Sequence, residues 1–360
     1  MKNFAKIWIL FSLCLSLAAC SSTPTATEQT PTLPETNPFK EQTPTLPETN
    51  PFEQPDSGEG GRIGGYGKGF LDPPKDFTFT YDGEPIQLSC YIHGSGSDTE
   101  VGLMLFLDGV PQPYQIIKTS QQEDAPETGQ EVLMSKHRVS SDGRIEFTVS
   151  FTPVTGSAGD ELGLVEVTLW EPSFVPKTEN ERFGLYQSAG FNTPLTVLMK
   201  TDAPQQAEDY AAEVVTEPIP PSEKKEINEL NPSGRTSPQF NLYTGEFNWA
   251  TAALFTKNGK IDLALSGWGG IEADYRVTVF VNHQPVSIAG HPNFLLRTHY
   301  DQISTYKFTL DVHDYDRLNT LYAVVVPIGQ SSKNLEINPW KSTSVLLIND
   351  AAAVITPSSK

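Results

Sequence analysis

The sequence predicts an all-β protein, two tandem antiparallel β-sandwich domains behind a disordered N-terminal spacer. Three observations carry that reading. Short apolar/polar alternations recur along the chain and are separated by turn residues, which is the pattern of half-buried strands. Two hairpins match in detail: LFLDGVPQPY, Leu105 to Tyr114, is echoed by VFVNHQPVSI, Val279 to Ile288. From about residue 75 to 202, apolar residues nowhere recur at helical spacing over three turns.

Each hairpin is an alternating strand, a two-residue turn and a following proline. The turns are Asp108-Gly109 and Asn282-His283, and the prolines Pro111 and Pro285. Asp-Gly suits a type I′ turn because both central residues need positive φ; Asn tolerates that conformation and His does so more often than most residues. A first domain over 73–202 opens with Phe77 to Tyr81. Ile86, Leu88, Cys90 and Ile92 follow on one face, and Val101, Leu103, Leu105 and Leu107 form the inward face of the hairpin's first arm. Ile145 to Phe151, Leu164 to Trp170 and Leu195 to Lys200 complete it.

A second domain over 240–352 repeats the scheme. Ile261, Leu263 and Leu265 match Ile86, Leu88 and Cys90, and Tyr275 to Val281 matches Val101 to Leu107, with Phe106 and Phe280 in the same outward place. YKFTLDV echoes IEFTVSF, Asp316-x-Leu318 echoes Asp160-x-Leu162, and SVLLIND echoes TVLMKTD. Five segments in shared order with differences in the loops are the mark of a duplicated unit. The modules resemble bacterial immunoglobulin-like domains with a Val-x-Val-x-Asn-Gly-x-Pro hairpin. That resemblance implies a sandwich fold and no particular activity.

The N-terminus carries an address. Lys2 and Lys6 precede an apolar run from Ile7 to Ala19, too short to span a bilayer, and the run ends Leu17-Ala18-Ala19-Cys20. This resembles the lipobox of bacterial lipoprotein signal peptides. The resemblance implies that residues 1–19 are removed and that Cys20 carries the lipid. It implies a bacterial cell-membrane location on the extracytoplasmic face, with the membrane as partner through that lipid. From Ser21 the chain turns to Thr, Pro and Glu, and EQTPTLPETNPF occurs twice, at 28–39 and 41–52. Proline at this density excludes helix, so 20–72 is expected to be an extended spacer with a flexible Gly-rich end, GGRIGGYGKGF. Residues 203–239, rich in Pro, Glu and Ser, are expected to be an interdomain linker, and 353–360 a tail.

A formal charge of −19 argues against nucleic acid as a partner, since phosphates demand Lys and Arg. With Cys20 lipidated, Cys90 is the one thiol in the folded part and is expected in the core. The chain lacks His-Glu-x-x-His, Gly-x-Ser-x-Gly and any Cys pair at metal spacing, so no catalytic residue, metal or cofactor is assigned and no enzyme activity is expected. Asp311, Asp314 and Asp316, and separately Glu171, Glu179 and Glu181, fall short of a calcium loop. They are expected in solvated turns.

Gly267-Trp268-Gly269-Gly270 stands above this background. Trp268 is expected in a loop at a sandwich end, either folded back to cap the open end of the core or, if it is a contact for an extracellular protein or glycan, more than half exposed. The expected function is therefore a membrane-anchored binding or display module. A structural subunit of an envelope assembly and an envelope hydrolase with unrecognised carboxylates are the alternatives.

Overall fold

The computed structural model describes residues 64–120, 129–192, 195–208, 210–221, 224, 239–244, 253–268, 272–329 and 338–352. The residues expected to form a signal segment, Cys20, the spacer repeat and the expected tail lie outside them. Residues 61–360 form one compact unit, and among the described residues its regular structure is strand apart from a 3₁₀ turn at Lys75–Phe77 and the helical residues Pro221 and Lys224.

Each sandwich has an outer sheet and an inner sheet, the inner one facing the other sandwich. In the first, the outer sheet runs Gly65–Phe70, Ile86–Ser95, Arg144–Phe151, Tyr114–Thr119, Glu131–Val132. Its inner sheet runs Thr78–Tyr81, Leu195–Met199, Glu161–Trp170, Thr99–Leu107, Val110–Gln112, with Met134–Val139 and Ala189–Phe191 alongside. The second inner sheet repeats this order: Ala253–Phe255, Val345–Ile348, Leu318–Pro327, Ala273–Val281, Gln284–Pro285, with Phe294–Thr298 and Trp340–Lys341 alongside. In both, one edge pairing is parallel, Thr78–Tyr81 on Leu195–Met199 and Ala253–Phe255 on Val345–Ile348. The echo is correct in its segments but slips in register. Leu164 lies opposite Leu107 and Leu321 opposite Val281, so Leu164 corresponds to Leu321, one residue away from the Asp160/Asp316 match.

Two segments expected to be irregular are strands. In the Gly-rich stretch, Gly65–Phe70 pairs with Ile86–Ser95 through six residues. Its Tyr66 and Phe70 pack on the first core while Gly69 lies under the Tyr91 ring, where a Cβ would come within 2.8 Å. The alternation was hidden because one of its faces is all glycine. In the expected linker, Val214–Pro218 pairs with Gln302–Asp311 and takes the outer-sheet edge, with Gln239–Tyr243 at the opposite edge beside Lys260–Trp268. In the first sandwich the strand beside Arg144–Phe151 is Tyr114–Thr119, from within the domain. The second hairpin has no such successor, and the chain arriving from the first sandwich fills the place.

Alternation gives each sandwich its own core. Leu88, Cys90, Ile92, Val101, Leu105, Phe147, Val149 and Val197 are among the residues of one, and Leu263, Leu265, Tyr275, Val277, Val279, Phe308, Leu310 and Leu347 among those of the other. A third cluster belongs to both. Met104, Phe106, Val165, Val167 and Leu169 of the first inner sheet meet Phe280, Tyr322, Val324 and Val326 of the second. Phe106 and Phe280 touch edge to face, centroids 6.1 Å apart. Two apolar faces thus close on each other, and four sheets stack in one body.

The hairpin turn takes part in this closure. Gly109 has φ +82°, and a Cβ there would lie 2.7 Å from Arg276 Cβ and 3.3 Å from Val326 Cβ. Gly109→Val should therefore lower the unfolding free energy by about 2–4 kcal/mol, through backbone strain and overpacking across the junction. A urea midpoint shifted by less than an exposed-turn substitution produces would contradict this.

Candidate functional site

The junction between the sandwiches gathers the polar groups that the sequence left unassigned, because each hairpin turn reaches into the other sandwich. At one end, Asp108 presents its carboxylate to the second sandwich. Arg276 Nη1 donates to its backbone carbonyl and to Oδ2 at 3.3 Å, and the Gly329 amide donates to Oδ1 at 2.8 Å. Side-chain exposure is 5% for Arg276 and 11% for Asp108, so the pair is out of water.

At the other end, His283 enters the first sandwich. Its Nε2 lies 2.8 Å from the Pro172 carbonyl, which can only accept, so that nitrogen carries the proton. Nδ1 is left to accept from the Tyr322 hydroxyl at 3.0 Å. Burial, reinforced by the charges of Lys136 and Lys341, holds the imidazole down to about 4. The site also holds Lys341. Burial pulls its ammonium down to about 7; it donates to the Ser342 carbonyl and Ser344 Oγ, both at 2.9 Å, and its Nζ sits 4.4 Å from the Tyr322 ring centre.

Residues 171–188, whose Glu171, Glu179 and Glu181 were expected in solvated turns, form a strap over this end. Gln187 is buried. Its Nε2 donates to the Phe174 carbonyl at 2.7 Å, and its Oε1 accepts from Ser344 at 2.9 Å, joining strap to second sandwich. Phe183 packs with Leu346 and Ile348. Tyr186 lies between Trp170 and Phe174, ring centres 5.3 and 4.0 Å away, and with Leu185 it is exposed at the surface. Glu171 caps the start of the Thr99–Leu107 strand through Thr99 Oγ1 and the Glu100 amide. The four aromatics of 170–186 were the available signal for a packed loop.

Trp268 lies in a strand rather than in the expected loop. It is the last residue of the strand Lys260–Trp268, opposite Ile303 and Gln239, and is half-buried rather than more than half exposed. Gly267 beside it answers to packing, since a Cβ there would lie 2.5 Å from the Phe240 ring. Cys90 is buried in the first core, and burial pushes its thiol up. Among the described residues no three His, Cys, Asp or Glu come together as a metal site. Asp311 accepts from the His313 amide in its turn. Inside the first sandwich Ser135 Oγ lies 2.8 Å from His137 Nε2 beside Tyr114, and Lys68 pairs with Glu166 at 3.3 Å. Ser135 and His137 are sealed from solvent, so this arrangement packs the core.

No family model and no curated protein matches the chain. Among solved structures it is similar to the CsuC-CsuE chaperone-tip adhesion subunit pre-assembly complex of Acinetobacter baumannii archaic chaperone-usher pili, at 11% identity over 76% of this chain and 94% of that one, TM-score 0.17. The C-terminal domain of the Streptococcus agalactiae AgI/II polypeptide BspA matches at 8% identity over 75% and 94%, TM-score 0.18. Scores this low carry no argument, and the all-β architecture stands on the strand ladders themselves.

The Arg276–Asp108 pair makes the junction testable. Removing one partner leaves a buried charge uncompensated, so Arg276→Ala should cost about 3–5 kcal/mol in chemical denaturation. A cost below 1 kcal/mol, the range of an exposed ion pair, would show the pair to be solvated.

Proposed function

We propose that this protein is a lipid-anchored, extracytoplasmic binding or display module, with the fused sandwiches as its head and residues 20–63 as its stalk. The observation that carries the reading is the closure of the two inner sheets on one another. A head built this way offers its partner a rigid surface, which limits the entropy lost on binding. The N-terminal features agree. Two or more acyl chains at Cys20 give stable attachment where one gives only marginal binding. The proline-rich repeat would hold the head away from the lipid by up to about 100 Å if fully extended.

The contact surface in this reading is the strap rather than Trp268. Leu185 and Tyr186 lie at the surface, and the aromatic stack below them fixes their position. Aromatic and aliphatic groups held rigidly suit a protein or glycan partner.

Attachment is tested at Cys20. The mature wild-type chain should partition into detergent and carry mass beyond its polypeptide. Cys20→Ala should lose that mass and yield either an uncleaved precursor or a water-soluble product. Wild-type protein recovered in the aqueous phase at polypeptide mass would overturn the proposal.

A further inference from the structure

One end of the second outer sheet turns a partly aromatic face to solvent. Ile261, Leu263 and Leu265 of Lys260–Trp268 point into the core, so the even positions of that strand point outward. The ladder then sets the outward rows. Trp268 lies opposite Ile303, and Ser266 lies opposite Thr305, whose other neighbour is Val215. Tyr243 stands opposite Ala264, and its hydroxyl is 2.8 Å from Ser266 Oγ, which is 2.6 Å from Thr305 Oγ1. A chain of hydroxyls thus crosses three strands beside an indole and two aliphatic side chains. Val215 is exposed, Trp268, Ile303, Tyr243 and Thr305 are half-buried, and Ser266 is closed in among them. The matching place in the first sandwich is different. There His93 lies opposite Arg144, whose guanidinium pairs with Glu146 at 3.0 Å and covers the Tyr91 ring. Two sheets of one plan therefore present opposite surfaces, one charged and one aromatic with hydroxyls.

We propose that the Trp268 end of this face is a binding surface for a neutral polysaccharide, separate from the strap. Three features favour that ligand. Indole and phenol rings offer rigid apolar area with a polar tip, which suits the C–H side of a sugar ring bordered by its hydroxyls. Hydroxyls both donate and accept, so the Tyr243–Ser266–Thr305 chain suits a ligand made of hydroxyls. The protein carries a formal charge of −19, yet among the described residues of these rows the charged ones are Glu217, opposite Ile303 at the sheet edge, and Lys307, opposite Ala264. With one charge of each sign, the face has no field to draw an ionic ligand. Neighbouring strands lie about 4.8 Å apart, so the four strands span about 14 Å, room for a short run of sugar rings laid flat. A stable protein interface wants a larger and drier apolar centre than this row of hydroxyls provides.

Affinity electrophoresis of the full chain in neutral detergent tests this, through native gels holding dextran, a β-glucan, mannan or galactan, with acidic alginate as the contrast. At least one neutral polymer should retard the wild-type chain and alginate should not. Trp268→Ala and Ile303→Ser should each weaken the retardation about tenfold, as loss of a central contact does. Val215→Ser, at an exposed position that the fold does not need, should weaken it less and covers the case in which the other two fail to fold. Tyr186→Ala, on the strap, should leave it unchanged, so the two surfaces fail separately. No retardation by any of the four neutral polymers, retardation that survives all three sheet variants, or its loss in Tyr186→Ala alone would overturn the proposal. So would a wild-type dimer in sedimentation that Val215→Arg splits, which would assign the face to a second copy of the chain.

Discussion

Burial of the outward faces of the inner sheets is the constraint on which the rest of the unit depends, because together they carry Met104, Phe106, Val165, Val167, Leu169, Phe280, Tyr322, Val324 and Val326. Thr99–Leu107, Glu161–Trp170, Ala273–Val281 and Leu318–Pro327 are buried on both sides through their central residues. A half-solvated sandwich strand alternates apolar with polar; residues 103–107 and 321–327 instead read as uninterrupted apolar runs, the mark of a strand covered twice, while Glu166 and Thr168, and Arg276 and Thr278, break the other two. Burying nine further side chains at the junction contributes on the order of 10 kcal/mol before entropy is counted, comparable to the whole net stability of a domain. Separated, the sandwiches would each expose an apolar patch of the kind that drives aggregation.

The polar groups at the junction are consequences of that closure. Once the sheets meet, both hairpin turns are carried into the neighbouring sandwich and their polar atoms lose water. Asp108 finds Arg276 and Gly329, and His283 finds Pro172 and Tyr322. Such pairs add little net stability, since desolvation offsets attraction, but they penalise any other alignment of the sheets. That is a reason for the turns to differ, Asp-Gly in one and Asn-His in the other, on otherwise matching hairpins.

The division between what could and could not be read from the residues follows the same line. Period-two runs, the paired hairpins and the core face of each strand were legible because one strand and its partner decide them. Phe106 and Phe280 were recognised as outward, yet their meeting was not, since a single strand does not say what covers its second face. The uninterrupted run Leu103 to Leu107 was the clue. Gly65–Phe70 was lost to its glycines, and Val214–Pro218 because an edge strand with mostly exposed side chains has little apolar pattern to show. The strap went unread because Phe183 rests on Leu346 and Ile348 of the other domain, while Trp170, Phe174 and Tyr186 stack on one another at a spacing with no regular period. Trp268 drew notice for flanking glycines whose cause, at Gly267, is the Phe240 ring.

The central claim is that the two sandwiches are one cooperative body, and calorimetric unfolding of the chain tests it most directly. The account predicts a single transition in which the calorimetric and van't Hoff enthalpies agree, with Phe106→Asp lowering the melting of the whole unit. Two separable transitions, or a calorimetric enthalpy about twice the van't Hoff value, would mean that the sandwiches melt independently and that the junction does not bind them.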